Sequence, residues 1–515
     1  MGNTRLRKTT RNIFWQFAYQ LLTLTLGVIL PRYIIKVYGS DVNGLTSTIK
    51  HVLTLVTIVQ AGLATSATYL LYKPLEEKDR IKIASLLYSI KKWYRVIAII
   101  VACLGLAASI ILSFAVNGEI AAKYIFIASF ITCIDSALSI YFTATCNVFL
   151  NAKQDRYINS IVLLITGTLS YAIQIVILLV KPHFLFLYFN NFLICVLNII
   201  ILSIVFKKQY SPYDLNPEEK KEIKKVPVPG VTFAAINEAS HAAVYGIMTV
   251  AVSVMSDLKA ASVLSVYMMV INLISTVSNV FYTSFVSSYG SMVAEGDMNK
   301  INTVFQIFQF SFFLLTTFLF MCTSYLLIPF IRIYTRDATD ANYINELLAI
   351  LLIVYGLFYA YRIPYNNTIS VIGKFKETYL QPLICAIIAI GLMFGLTIIN
   401  YSLVVVGPIF FYVVNTFYQH FFIKKNFEGF DNNHFWRHFL VSILCVSLAI
   451  VAYFIYPITP SSFLRWALCG CVVAVISLIV LFVAIVLIDR KSFLLSFNYF
   501  KNRLFKKKQK VSKED

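Results

Sequence analysis

Charge is what this sequence has least of. Only 13% of its 515 residues are Asp, Glu, Lys or Arg, where a soluble domain carries about 25%. With 59% apolar residues and a mean hydropathy of +0.76, the chain cannot cover itself with a polar surface, and it reads as an all-α polytopic membrane protein. Long polar segments are also missing. The outer connections run to a few residues, the longest near 332–345, so no segment is large enough to fold as a soluble catalytic domain. The expectation is a protein that is not an enzyme. No Gly-rich phosphate loop of the Walker type occurs, so no ATP is expected, nor any other cofactor. The nine cysteines (Cys103, Cys133, Cys146, Cys195, Cys322, Cys385, Cys445, Cys469 and Cys471) all lie in apolar runs and read as small apolar side chains, not as a disulfide framework. Cys469-Gly-Cys471 has no His or acid beside it in sequence, so no metal site is expected. The first apolar run is too long for a secretory leader and lacks a small-residue cleavage site, so it is expected to stay as a span. Leu6 stands where an acylation signal after Gly2 needs Ser or Thr, so no acyl anchor is expected.

What is present is a series of apolar runs of about 20 residues, the length that crosses a bilayer. Fourteen are counted, at roughly 12–35, 46–72, 94–116, 124–150, 158–180, 184–206, 231–255, 261–286, 304–331, 346–371, 380–400, 403–422, 438–457 and 464–488. With the N-terminus inside, 34 Lys and Arg fall on inner segments and 8 on outer ones. That bias places both termini in the cytoplasm. It also accounts for most of the net charge of +20 through topology and anionic headgroups, so nucleic acid is not expected as a partner. In the tail, Phe493, Phe497, Phe500 and Leu504 recur at helical spacing among Lys and Arg, the pattern of a helix lying on an anionic membrane surface.

Three pairs of landmarks repeat at an offset of about 216–220 residues: Ser40-Asp41 with Ser256-Asp257, Asp79–Ile83 (DRIKI) with Asp297–Ile301 (DMNKI), and Asn147 ahead of AKQDRY with Asn367 ahead of GKFKETY. The organisation expected is a six-helix bundle at 1–206, a cytoplasmic linker at 207–230, a second six-helix bundle at 231–422, two further helices at 438–488 and a basic amphipathic tail at 489–515. Two parallel repeats suit alternating access through a cleft.

Ionisable groups inside spans are costly and usually face a cavity or one another. Asp135, Glu238, His241 and Arg362 are such groups. Glu238 and His241 are three apart and share a helix face, as do Arg32 and Lys36, four apart at the outer end of span 1. Lys50 and His51 open span 2 opposite them, and Asn237, Asn272, Asn279, Asn366 and Asn367 add amides. Other readings stay open: Arg32, Lys36 and Lys50 could snorkel to the outer headgroups, Asp135 could pair with a basic group in another span, Glu238 and His241 could be a purely local pair, and the asparagines could be interhelical glue. Together the groups suggest a wet, net-positive cleft. Its substrate-binding candidates are Arg32, Lys36, Lys50, His51, His241, Arg362 and Asn367, since Arg and Lys suit phosphate oxygens. Asp135, Glu238 and His241 are the ion-coupling candidates.

The run LPRYIIKVYGSDVNGLTSTIKHVLTLVTIVQAGLATSATYLLYKPLEEKDRIKIASLLY resembles the N-terminal signature of bacterial polysaccharide (Wzx-like) flippases of the multidrug/oligosaccharidyl-lipid/polysaccharide (MOP) exporter superfamily. Arg32, Gly39, Gly44-Leu45, Gly62-Leu63-Ala64 and Leu71-Tyr72-Lys73-Pro74-Leu75 carry that resemblance, with LNAKQDRYI further on. It implies a MATE-like, V-shaped pair of six-helix bundles related by a pseudo-twofold, plus two C-terminal helices. It also implies transport of a polyprenyl-pyrophosphate-linked oligosaccharide to the outer leaflet of a bacterial cytoplasmic membrane, driven by a proton or sodium gradient or the membrane potential. Membrane lipids, a polysaccharide polymerase and glycosyltransferases of the same pathway are the further partners implied. The alternatives are a lipid II flippase and a drug or metabolite exporter of the same superfamily. For the exporter an acidic cleft would be expected.

Overall fold

An apolar segment in hydrocarbon must satisfy its backbone polar groups internally, and a helix does so within one segment. The computed structural model describes residues 2–60, 63–213, 215–216, 218–223, 226, 233–295, 298–371, 374–426, 432–490, 492–494 and 496; all regular structure among them is helical. In chain order the helices are α1 Gly2–Tyr38, α2 Ser40–Thr57, α3 Leu63–Glu77, α4 Arg80–Ala115, α5 Ala122–Ala152, α6 Tyr157–Val180, α7 Leu185–Tyr210, α8 Phe233–Met255, α9 Leu258–Glu295, α10 Met298–Tyr334, α11 Glu346–Val371, α12 Phe375–Thr378, α13 Leu380–Thr397, α14 Val406–Asn426, α15 Asn432–Ile455 and α16 Phe463–Ile488. Among the described residues, thirteen helices are long and apolar enough to cross a membrane, which makes this a multi-pass membrane protein.

Thirteen of the fourteen expected runs match those helices. The fourteenth, 46–72, is not one helix. It starts earlier, at Ser40, and breaks at a 3-10 turn over Ile58–Gln60 before α3 resumes. The cause is local. Thr54 and Thr57 turn their hydroxyls back onto the carbonyls of Lys50 (3.1 Å) and Leu53 (2.8 Å), which weakens and bends a helix. A β-branched run, Val56-Thr57-Ile58-Val59, follows. One consequence corrects the sequence reading: Lys50 and His51 lie mid-helix in α2 instead of opening a span. Gly62 of the signature, Asp297 of the repeat and most of the tail lie outside the described residues, as does the side chain of Asn279.

The chain divides into two compact units, Met1–Val263 and Leu264–Asp515. In the first, α4 packs along α5, α5 along α7, α1 along α6, and α2 along α8. Its core holds Leu45, Ile49, Ile83, Ile90, Val101 and Phe149, with Leu258 from the start of α9. In the second, α11 and α13 pack on α14, and α10 packs on α11, α15 and α16. A core cluster of Val304, Phe305, Tyr365, Ile369, Ile423 and Phe435 sits there. Exposed apolar side chains are many, Leu464, Val472, Ile479 and Leu487 on α16 among them. That is the inverse of a soluble surface and suits acyl chains. Since lipid is as apolar as leucine, close packing and interhelical hydrogen bonds hold such helices together.

Helix ends follow ordinary stop signals. α1 ends at Gly39, whose φ of 86° is a conformation only glycine adopts without strain. α6 ends at Lys181, in the left-handed region (φ 55°) with Pro182 behind it. Asp79 caps α4, its carboxylate accepting from the Lys82 amide at 3.0 Å.

Candidate functional site

In the first unit the polar groups gather where α2 meets α8 and the start of α9. Gly44 permits the approach: a Cβ built there would stand 1.9 Å from the Leu258 carbonyl oxygen. Beside it, Asn43 Nδ2 donates to Ser262 Oγ at 2.8 Å. Lys259 Nζ lies 2.6 Å from Glu119 Oε1 and 3.9 Å from Asp41 Oδ2. Asp41 is buried, and that burial pushes its carboxyl above the usual carboxylate range, partly offset by the Lys259 charge. Asn117 closes the α8–α9 turn: its carbonyl accepts from the Leu258 amide (3.0 Å) and its side-chain amide donates to the carbonyls of Val254 and Ser256. Asp257 caps α9 by accepting from the Ala260 amide at 2.6 Å. The two Ser-Asp landmarks of the repeat thus mark the starts of two helices that touch.

Deeper along the same pair of helices, His51 is buried and its ring centroid lies 4.9 Å from that of Tyr245 on α8. A Cβ at Gly246 would meet Leu55 Cδ2 at 3.0 Å and the His51 carbonyl oxygen at 3.2 Å, so this contact is close as well. His51 Nδ1 is buried without a hydrogen-bond partner. His241, one turn before Tyr245, is also buried. The helices bearing His51 and His241 therefore pack together. Glu238 does not follow His241 inward: it is exposed, as are Lys36 and Lys50, while Arg32 is half-buried on α1. Asp135 on α5 is half-buried, and its Oδ1 is shielded from solvent without a hydrogen-bond partner. Its backbone carbonyl accepts a weak bond from Cys195 Sγ on α7 at 3.5 Å. Among the described residues no cation pairs with the Asp135 carboxylate, which leaves a membrane-embedded acid whose charged form is costly.

The second unit holds Arg362 and Asn367, both on α11 and both buried. The Arg362 guanidinium lies 5.8 Å from the Tyr359 ring centroid and 5.6 Å from that of Tyr412 on α14, and the two rings stand 5.2 Å apart. Aromatic faces stabilise a desolvated cation by about 0.5–2 kcal/mol and leave the N–H edges of the guanidinium to hydrogen-bond elsewhere. Asn367 Nδ2 has no hydrogen-bond partner, while Asn366 Oδ1 accepts from Gln419 Nε2 at 3.3 Å. Around them run short hydrogen bonds linking Thr317, Tyr361 and Ser442, and Gln309 with Tyr365. Sequence reasoning found Arg362 because an arginine in an apolar run stands out. It missed Tyr359, Tyr412 and the Asp41–Lys259–Glu119 group, because tyrosines are common here and the ion pair joins residues remote in sequence.

Chemically, the cationic and amide donors in each unit can contact an anion. No family model matches the chain, and no curated protein matches it in sequence. Solved structures do match in fold. The lipid II flippase MurJ, in an inward closed conformation, aligns with a TM-score of 0.66 at 14% identity, over 96% of this chain and 100% of that one. A multidrug resistance MATE family transporter of the MOP superfamily, in its inward-facing conformation, aligns with a TM-score of 0.60 at 13% identity, over 78% of this chain and 95% of that one. A MOP superfamily transporter from Pyrococcus furiosus, described as having a binding pocket of reversed polarity, aligns at 0.52 and 12% identity, over 82% and 96%. This chain therefore has the fold that MurJ and the MATE transporters of the MOP superfamily share.

Proposed function

We propose that the protein is a flippase for polyprenyl-pyrophosphate-linked oligosaccharide repeat units, moving them from the cytoplasmic to the outer leaflet by alternating access for cell-surface polysaccharide synthesis. The observation that carries this reading is the full-length likeness to a lipid II flippase: MurJ is matched along all of its length and over 96% of this chain, against 78% for the multidrug transporter. The N-terminal signature from Arg32 through Leu75 supports a polysaccharide unit over the cell-wall precursor. The cationic groups support an anionic headgroup. In this reading Arg32, Lys36, Lys50, His51, His241, Arg362 and Asn367 serve the pyrophosphate and the sugar, and the lipid chain stays in the bilayer. Asp135, with its shielded and unpartnered carboxyl oxygen, is the strongest of the proposed coupling groups. Glu238 and His241 remain in that set. The membrane is the bacterial cytoplasmic membrane, both termini lie inside, and the polymerase and glycosyltransferases of the same pathway are the working partners.

The decisive experiment is deletion of the gene in its host, followed by mass spectrometry of extracted lipids and assay of surface polymer. Accumulation of finished polyprenyl-pyrophosphate oligosaccharides with loss of polymer is expected. Accumulation of the peptidoglycan precursor in their place would move the assignment to lipid II. Normal lipids and normal polymer would sink both flippase readings and favour an exporter of small solutes.

A further inference from the structure

The start of α15 carries the sequence His434-Phe-Trp-Arg-His438. Two histidines four apart project from one helix face, the spacing at which a pair of imidazoles can share one ligand. The end of α16 brings Asp489 to the same place. Asp489 closes that helix, its amide donating to the Ile485 carbonyl at 2.8 Å, and its side chain turns toward the histidines. His438 Nε2 stands 2.7 Å from Asp489 Oδ2, and His434 Nδ1 stands 3.7 Å from Asp489 Oδ1. One ligating atom from each of the three residues lies within 4.8 Å of the others.

Two further observations separate this cluster from an ordinary polar contact. His438 and Asp489 are each only 1% exposed, yet both ring nitrogens of His438 and both carboxylate oxygens of Asp489 lack a hydrogen bond. The 2.7 Å contact is thus close enough for a hydrogen bond but not aligned as one. A buried carboxylate and imidazole left in that state cost free energy. A cation between them would satisfy both. Secondly, the His438 ring is held in place. His438 stacks on Phe313 at 4.6 Å between centroids and 12° between planes. Ser492 Oγ lies 2.6 Å from His434 Nδ1, a contact that hydroxyl gives up when the nitrogen takes a metal.

We propose that His434, His438 and Asp489 form a binding site for one divalent transition-metal ion of the zinc class, which fastens the start of α15 to the end of α16. Zinc takes imidazole nitrogen and carboxylate oxygen at about 2.0–2.2 Å in a tetrahedron, so its ligand atoms stand about 3.3 Å apart. His438 Nε2 is 2.7 Å from one Asp489 oxygen and His434 Nδ1 is 3.7 Å from the other, and with one ligand atom from each residue within 4.8 Å of the others, side-chain shifts reach that value. Three protein ligands leave the fourth position to water. The competing account is a plain ion pair of Asp489 with Arg437, whose Nη1 lies 3.6 Å from Oδ1. The Arg437 side chain is 39% exposed and can turn to solvent, and its contact leaves both carboxylate oxygens without a hydrogen bond. This site does not depend on the substrate proposed above.

The test uses the full chain in detergent, with any histidine tag removed. The protein is stripped with chelator, titrated with Co²⁺, and separately loaded with Zn²⁺ for elemental analysis. One equivalent per chain is expected, with the intense visible bands of tetrahedral cobalt, and Zn²⁺ should raise the thermal midpoint of the stripped protein. The double variant H438A/D489A should lose the equivalent and the bands. His434→Ala, at the least buried of the three ligands (13% exposed), should fold and bind at least tenfold more weakly. Wild-type protein that binds no Co²⁺, or that binds it as well after His434→Ala as before, would overturn the proposal even if the double variant fails to fold.

Discussion

At the scale of single residues, the sharpest constraint is Gly44. A methyl group there would sit 1.9 Å from a backbone oxygen, so nothing flexible can yield and the helices must part. Gly44→Ala should cost about 1–3 kcal/mol, the range of an overpacked core, and lower the thermal midpoint in detergent. An unchanged midpoint would mean that α2 and the start of α9 do not touch in this way. Arg362 gives a functional counterpart. Its two tyrosines present flat faces suited to a planar guanidinium, so Arg362→Ala should impair transport with membrane insertion intact, and Arg362→Lys should restore only part of it. Normal polymer in a deletion strain carrying Arg362→Ala would remove the residue from the transport role. Asp135→Asn should flatten the pH dependence of transport; a profile identical to wild type would shift coupling to Glu238 or His241. These residues were legible because each is an ionisable group in an apolar run. Their surroundings were not, since the rings against Arg362 come partly from another helix, and sequence periodicity says which residues share a helix, not which helices meet.

At the scale of helices, hydropathy located thirteen of the fourteen expected spans, because a bilayer demands length and apolarity and little else. The exception is instructive. The 46–72 run is apolar throughout, and hydropathy cannot see threonine hydroxyls folding back onto carbonyls. Amides near Ile58–Gln60 should therefore exchange with deuterium faster than those of Leu45–Val52 in the same segment; equal protection would contradict the break. α4 offers a titratable example at its exposed start. Hydrogen bonds from the Lys82 amide and ammonium hold the Asp79 carboxyl below its ordinary range. With a depressed folded-state pKa, the cap contributes above the ordinary carboxylate range and fades as pH falls through the lowered value. Asp79→Asn should keep the cap and lose that pH dependence, seen in the exchange of the first amides of α4.

At the scale of the whole molecule, shortage of charge identified the class and the imbalance of Lys and Arg suggested an orientation, but neither says how helices group. The repeat landmarks put Ser40-Asp41 and Ser256-Asp257 in register; in the structure the first pair opens α2 and the second precedes α9. They did not anticipate that the helices behind them would be joined by Asn43 and Lys259. That junction bears on any large movement of the protein. With Gly44 pressed against a carbonyl, α2 has a fulcrum near one end. Thr57 lies about 20 Å further along the axis at 1.5 Å per residue. A tilt of about ten degrees at the fulcrum would swing that far end by roughly 3.5 Å, while the contact at Gly44 barely changes. The helix is a lever whose short arm is clamped, and the break just beyond Thr57 is where its motion would be released.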